Sequence, residues 1–166
     1  MTWVQHSQSL IAYNQWANAK VLAAAGALAD AELGRNVSGS HHSVRTTLLH
    51  IVRVQEWWLS VLNGKPDRSA EPDPSMPLAQ IREWFDRSHA ALQTYSGGLT
   101  ARRLDAEVAA FSPRDNREHR WPSWQLLSHL MNHSSHHRAE AGVMLESLGH
   151  SPGDLDFVFF LWEWAG

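Results

Sequence analysis

Apolar side chains recur every three or four positions along most of this chain of 166 residues, and Pro- and Gly-rich breaks divide it into four long segments. Such spacing places the apolar side chains on one face of a helix. It predicts helices over 3–28, 43–62, 77–96 and 122–148. No strand-like alternation is long enough to predict a sheet, so we expect residues 1–166 to form one all-α domain, an antiparallel four-helix bundle.

Residues with strong positional preferences mark the ends of these helices. Ser43 is expected to cap the second helix, 63–64 to end it, and Gly149 to follow the end of the fourth. Four prolines predict a loop over 64–77, because proline disrupts helices and strands alike. The sequence of the polar segment 99–120 does not assign it to a helix, a strand or a loop.

The composition excludes several classes of function. Lys and Arg number 14 against 17 Asp and Glu, so the chain has no basic excess with which to bind a nucleic acid. It contains no cysteine, which excludes disulfides, thiolate metal sites and a cysteine nucleophile. The N-terminus lacks the pattern of a signal peptide, and the apolar stretch 21–29 is too short to span a membrane. We therefore expect a cytoplasmic protein that acts on a small molecule, without nucleic-acid or membrane partners.

The chain holds eleven histidines, and several lie on predicted helix faces that point inward. At about 100° per residue, His133 and His137 fall in the middle of the apolar face of the fourth helix. His129 and His136 lie toward the edge of that face and are predicted not to be ligands. His50 lies on the apolar face of the second helix. Two histidines four residues apart, with a third on a facing helix, can bind a divalent cation and leave it open positions.

The spacing has alternative explanations. Without further information, the i, i+4 pair is as compatible with core packing as with a metal site, and an inward histidine such as His50 is more often a hydrogen-bonded core residue. His41, His42 and His119 lie in polar loop contexts and are expected to be solvated. His89 is expected to have no catalytic role.

Three segments resemble the motifs of a known family. They are YNQWANAKVL in the first predicted helix, TTLLHIVRVQEWWL in the second, and NHSSHHRAEAGVMLESLGHSPGDLDFVFFL from the fourth helix into the tail. In this order they resemble the DinB family of damage-inducible four-helix bundle proteins, also called DinB/YfiT-like metalloenzymes. The resemblance implies a divalent metal held by His50, His133 and His137, with zinc expected and nickel as an alternative. It also implies a homodimer.

The resemblance further implies an enzyme. Better characterised relatives use a low-molecular-weight thiol such as bacillithiol, mycothiol or glutathione, so a thiol-dependent S-transferase that acts on electrophiles in stress or detoxification is the first hypothesis. The alternatives are a metal-dependent hydrolase and a non-catalytic stress protein that its metal stabilises. Family members often read HHRGQ where this chain has HHRAE, which places Glu140 near the ligands. Glu140 or His136 would then move the proton in hydrolysis.

Large aromatic side chains affect both the substrate site and the assembly. The chain has nine tryptophans. Trp16, Asn18, Trp57 and Trp58 are expected to line the approach of a substrate, unless the tryptophans only fill the core. The apolar tail 157–164 adds more hydrophobic surface than one small bundle easily buries, which favours a homodimer; alternatively, the tail folds over its own bundle.

Overall fold

The computed structural model describes residues 2–37, 41–69, 71–112 and 114–164. Its helices are α1 (Trp3–Ala25), α2 (Asp30–Leu33), α3 (Val44–Leu62), α4 (Leu78–Gly97), α5 (Ala101–Asp105), α6 (Ser123–Ser147) and α7 (Phe157–Trp164). Two strands, β1 (Glu107–Ser112) and β2 (Arg117–Pro122), lie between α5 and α6. The long helices α1, α3, α4 and α6 form the predicted bundle, in which α3 and α1 each pack against both α4 and α6.

Helices α1 and α4 run antiparallel along one side of the bundle. Gln8, near the start of α1, donates a hydrogen bond of 3.1 Å to the carbonyl of Ser96 near the end of α4. Arg82, near the start of α4, donates one of 2.6 Å to the carbonyl of Leu22 near the end of α1. The Leu22 carbonyl also accepts the backbone N–H of Gly26, at 3.1 Å.

Helices α3 and α6 also run antiparallel. Thr47, near the start of α3, contacts Met144 near the end of α6, and Trp58 near the end of α3 packs against His129. The loop 63–77 returns along the bundle, so the first turns of α3 and α4 share one part of the core and these two helices run parallel. The antiparallel arrangement therefore holds for α1 with α4 and for α3 with α6.

The predicted helix ends agree with the structure at most positions. Ser43 caps α3, because its side chain accepts a backbone N–H of the first turn, and Asn63 follows the last residue of that helix. Gly149 follows α6 with a φ of +83°, a left-handed conformation that glycine adopts easily. Helix α1 ends at Ala25 rather than at 28, since Gly26 disfavours a further turn.

The segment without a sequence assignment contains α5 and a hairpin. Strands β1 and β2 pair antiparallel, from Glu107 opposite Pro122 to Ser112 opposite Arg117. Ala110 is the one residue of these two strands that is fully buried. The alternation of apolar and polar residues is therefore too weak for the sequence to predict the hairpin, which is the one departure of the described residues from an all-α fold.

A layer of buried polar side chains divides the core into two apolar parts. The layer consists of Asn14 and Asn18 of α1, Gln55 of α3, Ser88 and His89 of α4, and Arg138 of α6. Arg138 donates to the side-chain oxygens of Asn14 and Asn18. Asn14 donates to Gln55 at 2.8 Å, and Gln55 donates to Ser88 at the same distance. These bonds link all four long helices and help to fix the position of α6 relative to α3.

Helix α7 packs against α1, which confirms that the tail folds onto the bundle. The ring of Tyr13 lies 5.2 Å from that of Phe157, and Trp16 donates a hydrogen bond of 2.6 Å to Glu163. None of the helices in the described ranges combines the length and the apolarity needed to cross a membrane.

Candidate metal centre

Three histidines from two neighbouring helices meet where α3 contacts α6. His50 comes from α3, and His133 and His137 lie one turn apart on α6. The Nε2 atoms of His50 and His133 are 3.0 Å apart, and the ring centroid of His137 lies 4.5 Å from each of the other two. The fold thus brings together the three residues that the sequence predicts as ligands.

His41 is half-buried against these residues, so the prediction that it is solvated is wrong. Its ring stacks on that of His50, with centroids 3.9 Å apart, and lies 5.0 Å from that of His137. One coordinating nitrogen from each of His41, His50 and His137 lies within 4.8 Å of the others. Helical periodicity does not predict the position of a loop residue. The one sequence signal that places His41 near the start of α3 is its position two residues before the cap Ser43. We refer to His41, His50, His133 and His137 as the histidine cluster.

The spacing and chemistry of the cluster fit a divalent metal ion. Two imidazole nitrogens that each bind one metal at about 2.1 Å lie roughly 3.0–3.4 Å apart when the angle between them is about 90–110°. The separation of 3.0 Å between the Nε2 atoms of His50 and His133 lies in that range. Imidazoles without thiolates suit zinc, nickel, copper or iron.

Burial keeps the imidazoles of His50 and His133 neutral near pH 7. Loss of solvation lowers the pKa of His50 to about 4, and the neighbouring His41 and His137 lower it further. Loss of solvation likewise lowers the pKa of His133 to about 3, with His137 and His50 as further causes. A neutral imidazole keeps the lone pair that metal binding requires.

Glu140 orients one member of the cluster. The Nδ1 atom of His137 lies 2.7 Å from the Oε2 atom of Glu140, so Nδ1 donates to the carboxylate and Nε2 is the nitrogen available for a metal. The other carboxylate oxygen lies 3.7 Å from the Nε2 atom of His136, whose side chain is 65% exposed. Glu140 therefore connects the cluster to an imidazole at the surface.

Other histidines lie at the margin of the cluster or away from it. His129 packs against Trp58 with ring centroids 5.0 Å apart and is largely exposed to solvent. His119 is on the hairpin, where it pairs with Asp115 at 2.7 Å. His89 belongs to the buried polar layer. That His129 and His136 are not ligands stays a prediction.

Comparison with known proteins identifies the family. The model of the DinB family matches residues 4–165. This chain belongs to the DinB family. The match confirms the resemblance that three motifs indicate and extends it to α4 and the hairpin.

Relatives of this DinB-family protein come from Bacillus subtilis. The uncharacterized protein YizA of strain 168 is 23% identical over 133 residues, which cover 76% of this chain and 78% of YizA. The crystal structure of the DinB-like protein YjoA matches with a TM-score of 0.66 at 16% identity, covering 86% of this chain and 93% of YjoA. YfiT, described as a probable metal-dependent hydrolase with an unusual four-helix bundle topology, matches with a TM-score of 0.54 at 19% identity over 91% of each chain. The two structures establish a common fold.

A groove of about 580 Å³ begins one turn beyond His50 in this DinB-family protein. It lies between α3, α4 and the loop that follows α3, and it is lined by charges of both signs around one tryptophan. The guanidinium of Arg68 lies 4.2 Å from the ring centroid of Trp57, and Arg53 pairs with Glu71 at 3.3 Å. The groove provides space for an organic molecule, although its lining includes none of the four histidines of the cluster.

The four residues predicted to contact substrate divide into two pairs. Trp57 lines the groove, and Trp58 packs against His129 at the edge of the cluster. Trp16 packs against α7, and Asn18 is buried in the polar layer. The structure does not bring Trp16 and Asn18 to the cluster, because the Trp16 ring turns toward Glu163 of α7 and the Asn18 amide toward His89 and Arg138.

Proposed function

We propose that this DinB-family protein is a divalent-metal-dependent enzyme in which His50, His133 and His137 hold the metal. The observation that carries the proposal is the convergence of three imidazoles from α3 and α6. The description of YfiT, a structural relative, as a probable metal-dependent hydrolase supports the same class. Zinc is our proposed metal, with nickel as the alternative.

A divalent metal at this site would lower the pKa of a coordinated water or thiol and stabilise the anion that forms. Because histidine ligands are neutral, they leave the charge of the ion available to an anionic nucleophile. Glu140 holds His137 and lies within 3.7 Å of His136. A proton taken up by Glu140 therefore has a route through the exposed His136 to solvent.

The reaction we propose is S-transfer from a low-molecular-weight thiol to an electrophile. The sulfur forms a bond to an electrophilic carbon, the leaving group departs with the bonding electrons, and the thiol proton passes to Glu140. Arg53 and Arg68 of the groove would bind the carboxylates of a thiol such as glutathione or bacillithiol. Glu56 and Asp67 would bind its ammonium group. We place this reaction in the cytoplasm, where such thiols are kept reduced.

Hydrolysis is the second candidate, and the Glu140–His136 pair favours it. A water that attacks the substrate must lose a proton, and the leaving group must gain one. Glu140 has the position to accept the first proton, and His136 has the exposure to exchange protons with solvent. The metal ligands would be the same as for S-transfer, so metal content does not distinguish the two reactions.

Metal content tests the proposed site. We expect untagged protein to contain about one zinc per chain by elemental analysis, and His133→Ala to remove most of it because one of three ligands is lost. His119→Ala, on the hairpin, should keep the metal. Circular dichroism verifies that each variant is folded. Full metal content in a variant with alanine at positions 50, 133 and 137 would contradict the assignment.

A paired assay then separates the two reactions. Metal-loaded protein is incubated with model electrophiles in the presence of glutathione or bacillithiol, and with model esters and amides in the absence of thiol. We expect conjugates whose formation requires both the thiol and the metal. Metal-dependent cleavage of the esters or amides without a thiol would favour the hydrolase.

A further inference from the structure

The three helical histidines account for only part of the histidine cluster. His41 comes from the turn before α3, outside the three segments whose motifs resemble the family. Its ring lies parallel to that of His50 to within 26°, with centroids 3.9 Å apart, and its centroid lies 5.0 Å from that of His137 on α6. Loss of solvation and the nearby His137 lower the pKa of His41.

The turn that carries His41 is held by the N-terminal cap of α3. The carbonyl of His41 accepts hydrogen bonds from the backbone N–H of Ser43 and from the Thr46 hydroxyl. The carbonyl of His42 accepts one of 2.8 Å from the backbone N–H of Val37. The position of the His41 ring therefore depends on the same residues that begin α3, the helix that carries His50.

We propose that His41 is a fourth histidine ligand of the metal, supplied by this turn. The inference rests on the metal site of the proposed function and adds a residue to it. Nitrogens of His41, His50 and His137 lie within 4.8 Å of one another, while the Nε2 atom of His133 lies 3.0 Å from that of His50. His50 thus belongs both to this set of three and to the close pair with His133, and a single ion held by the set and by His133 would have four imidazoles around it.

A fourth imidazole changes how a substrate reaches the metal. Three protein ligands leave a zinc ion an open position, whereas four close a tetrahedral site. His50, His133 and His137 are fixed by long helices, whereas His41 belongs to a turn. His41 would therefore be the ligand that an incoming thiol or water replaces, and it would protect the site in the absence of substrate.

X-ray absorption spectroscopy of the zinc-loaded protein counts these ligands. We expect four imidazoles in the wild type and three in His41→Gln, which keeps a polar side chain but has no ring. The zinc affinity of His41→Gln, measured by competition with a chelator, should fall by about tenfold or more. His42→Asn is the matched control, because asparagine tolerates the φ of +66° at this position. This variant should keep the four imidazole ligands and the zinc affinity of the wild type.

Rescue by a free ligand gives a second measurement. In the cobalt-loaded His41→Ala protein, added imidazole should bind the open position and restore the visible spectrum of the wild type, whereas it should leave the wild-type spectrum unchanged. Three imidazoles and an unchanged affinity in both the wild type and His41→Gln would overturn the inference while leaving the proposed metal site intact. A wild-type protein that binds no metal would instead overturn the proposed function.

Discussion

Glu140 determines which nitrogen of His137 carries a proton, and its charge should strengthen metal binding. Glu140→Gln keeps an oxygen that accepts the hydrogen bond from Nδ1 but removes the negative charge 2.7 Å away. Because such a carboxylate makes the ligand imidazole more basic, we expect metal affinity to fall roughly tenfold. Competition with a chelator measures the change. Glu146→Gln, at an exposed position of the same helix, is the control, and equal affinity for both variants would contradict the role of Glu140.

His89 makes the stability of the protein depend on pH. Burial lowers its pKa to about 4, and its Nε2 atom lies 3.0 Å from the side-chain nitrogen of Asn18, which donates to neutral His89. Since the unfolded state binds a proton near pH 6.5 and the folded state only near pH 4, the stabilising effect of a neutral His89 is lost as pH falls across that range.

The unfolding free energy of the metal-free wild type should fall between pH 7 and pH 4. We expect this fall to be about 2–3 kcal/mol smaller in His89→Gln. Glutamine keeps an acceptor for Asn18 but does not titrate. Urea unfolding at a series of pH values measures the effect. Equal pH dependence of His89→Gln and the wild type would show that His89 is protonated in the folded state as easily as in the unfolded chain.

The long helices are held in position by polar as well as apolar contacts. Arg138 is 2% exposed and bonds the side-chain oxygens of Asn14 and Asn18, so helix α6 is tied to α1 one residue after His137. The guanidinium lies 5.3 Å from the ring centroid of Tyr13, which adds a cation–π contact. The position of the α6 histidines therefore depends on bonds made on the opposite side of their helix.

Replacement of Arg138 should destabilise the bundle although it removes a buried charge. In Arg138→Met, the oxygens of Asn14 and Asn18 lose a donor inside the core, at an expected cost of about 2–4 kcal/mol in unfolding free energy. Chemical denaturation measures it. The effects of Arg138→Met and Asn14→Leu should not be additive, because both remove the same hydrogen bond. Additive effects would indicate that the polar layer does not act as a unit.

The whole molecule leaves an apolar surface uncovered at α7. The outer face of this helix exposes large side chains, with Val158 43%, Leu161 40%, Trp162 66% and Trp164 71% accessible. Its inner face packs against α1, so one helix has apolar residues on both sides. A surface of this kind on a small protein usually has a partner.

We predict a homodimer in which the outer face of α7 contributes to a twofold interface of more than roughly 1,000 Å². Light scattering at micromolar concentration should give about 37 kDa, twice the 18.7 kDa of the chain. A variant with glutamate at positions 162 and 164 should give the monomer mass, and Trp3→Glu, which alters an exposed tryptophan at the start of α1, should remain a dimer. A monomer mass for the wild type throughout a dilution series would contradict the prediction.

Much of the bundle and part of the candidate site follow from the sequence, because they depend on local repeats. A period of 3.6 residues predicts α1, α3, α4 and α6 and places His50, His133 and His137 on inward faces. Capping preferences predict the start of α3 at Ser43 and the end of α6 before Gly149. Each of these features depends on residues within a few turns of one another, so a single sequence contains the necessary information.

Other features were decided by contacts between residues that are far apart in the chain. The loop 63–77 makes α3 and α4 parallel, the hairpin forms with little alternation, and His41 joins the cluster from a turn. Trp16 and Asn18 lie on helical faces that the periodicity describes well, yet the bundle places Trp16 against α7 and Asn18 in the buried polar layer. A repeat specifies the direction of a side chain relative to its own helix, but only the packed structure specifies which helix it faces and where a loop returns.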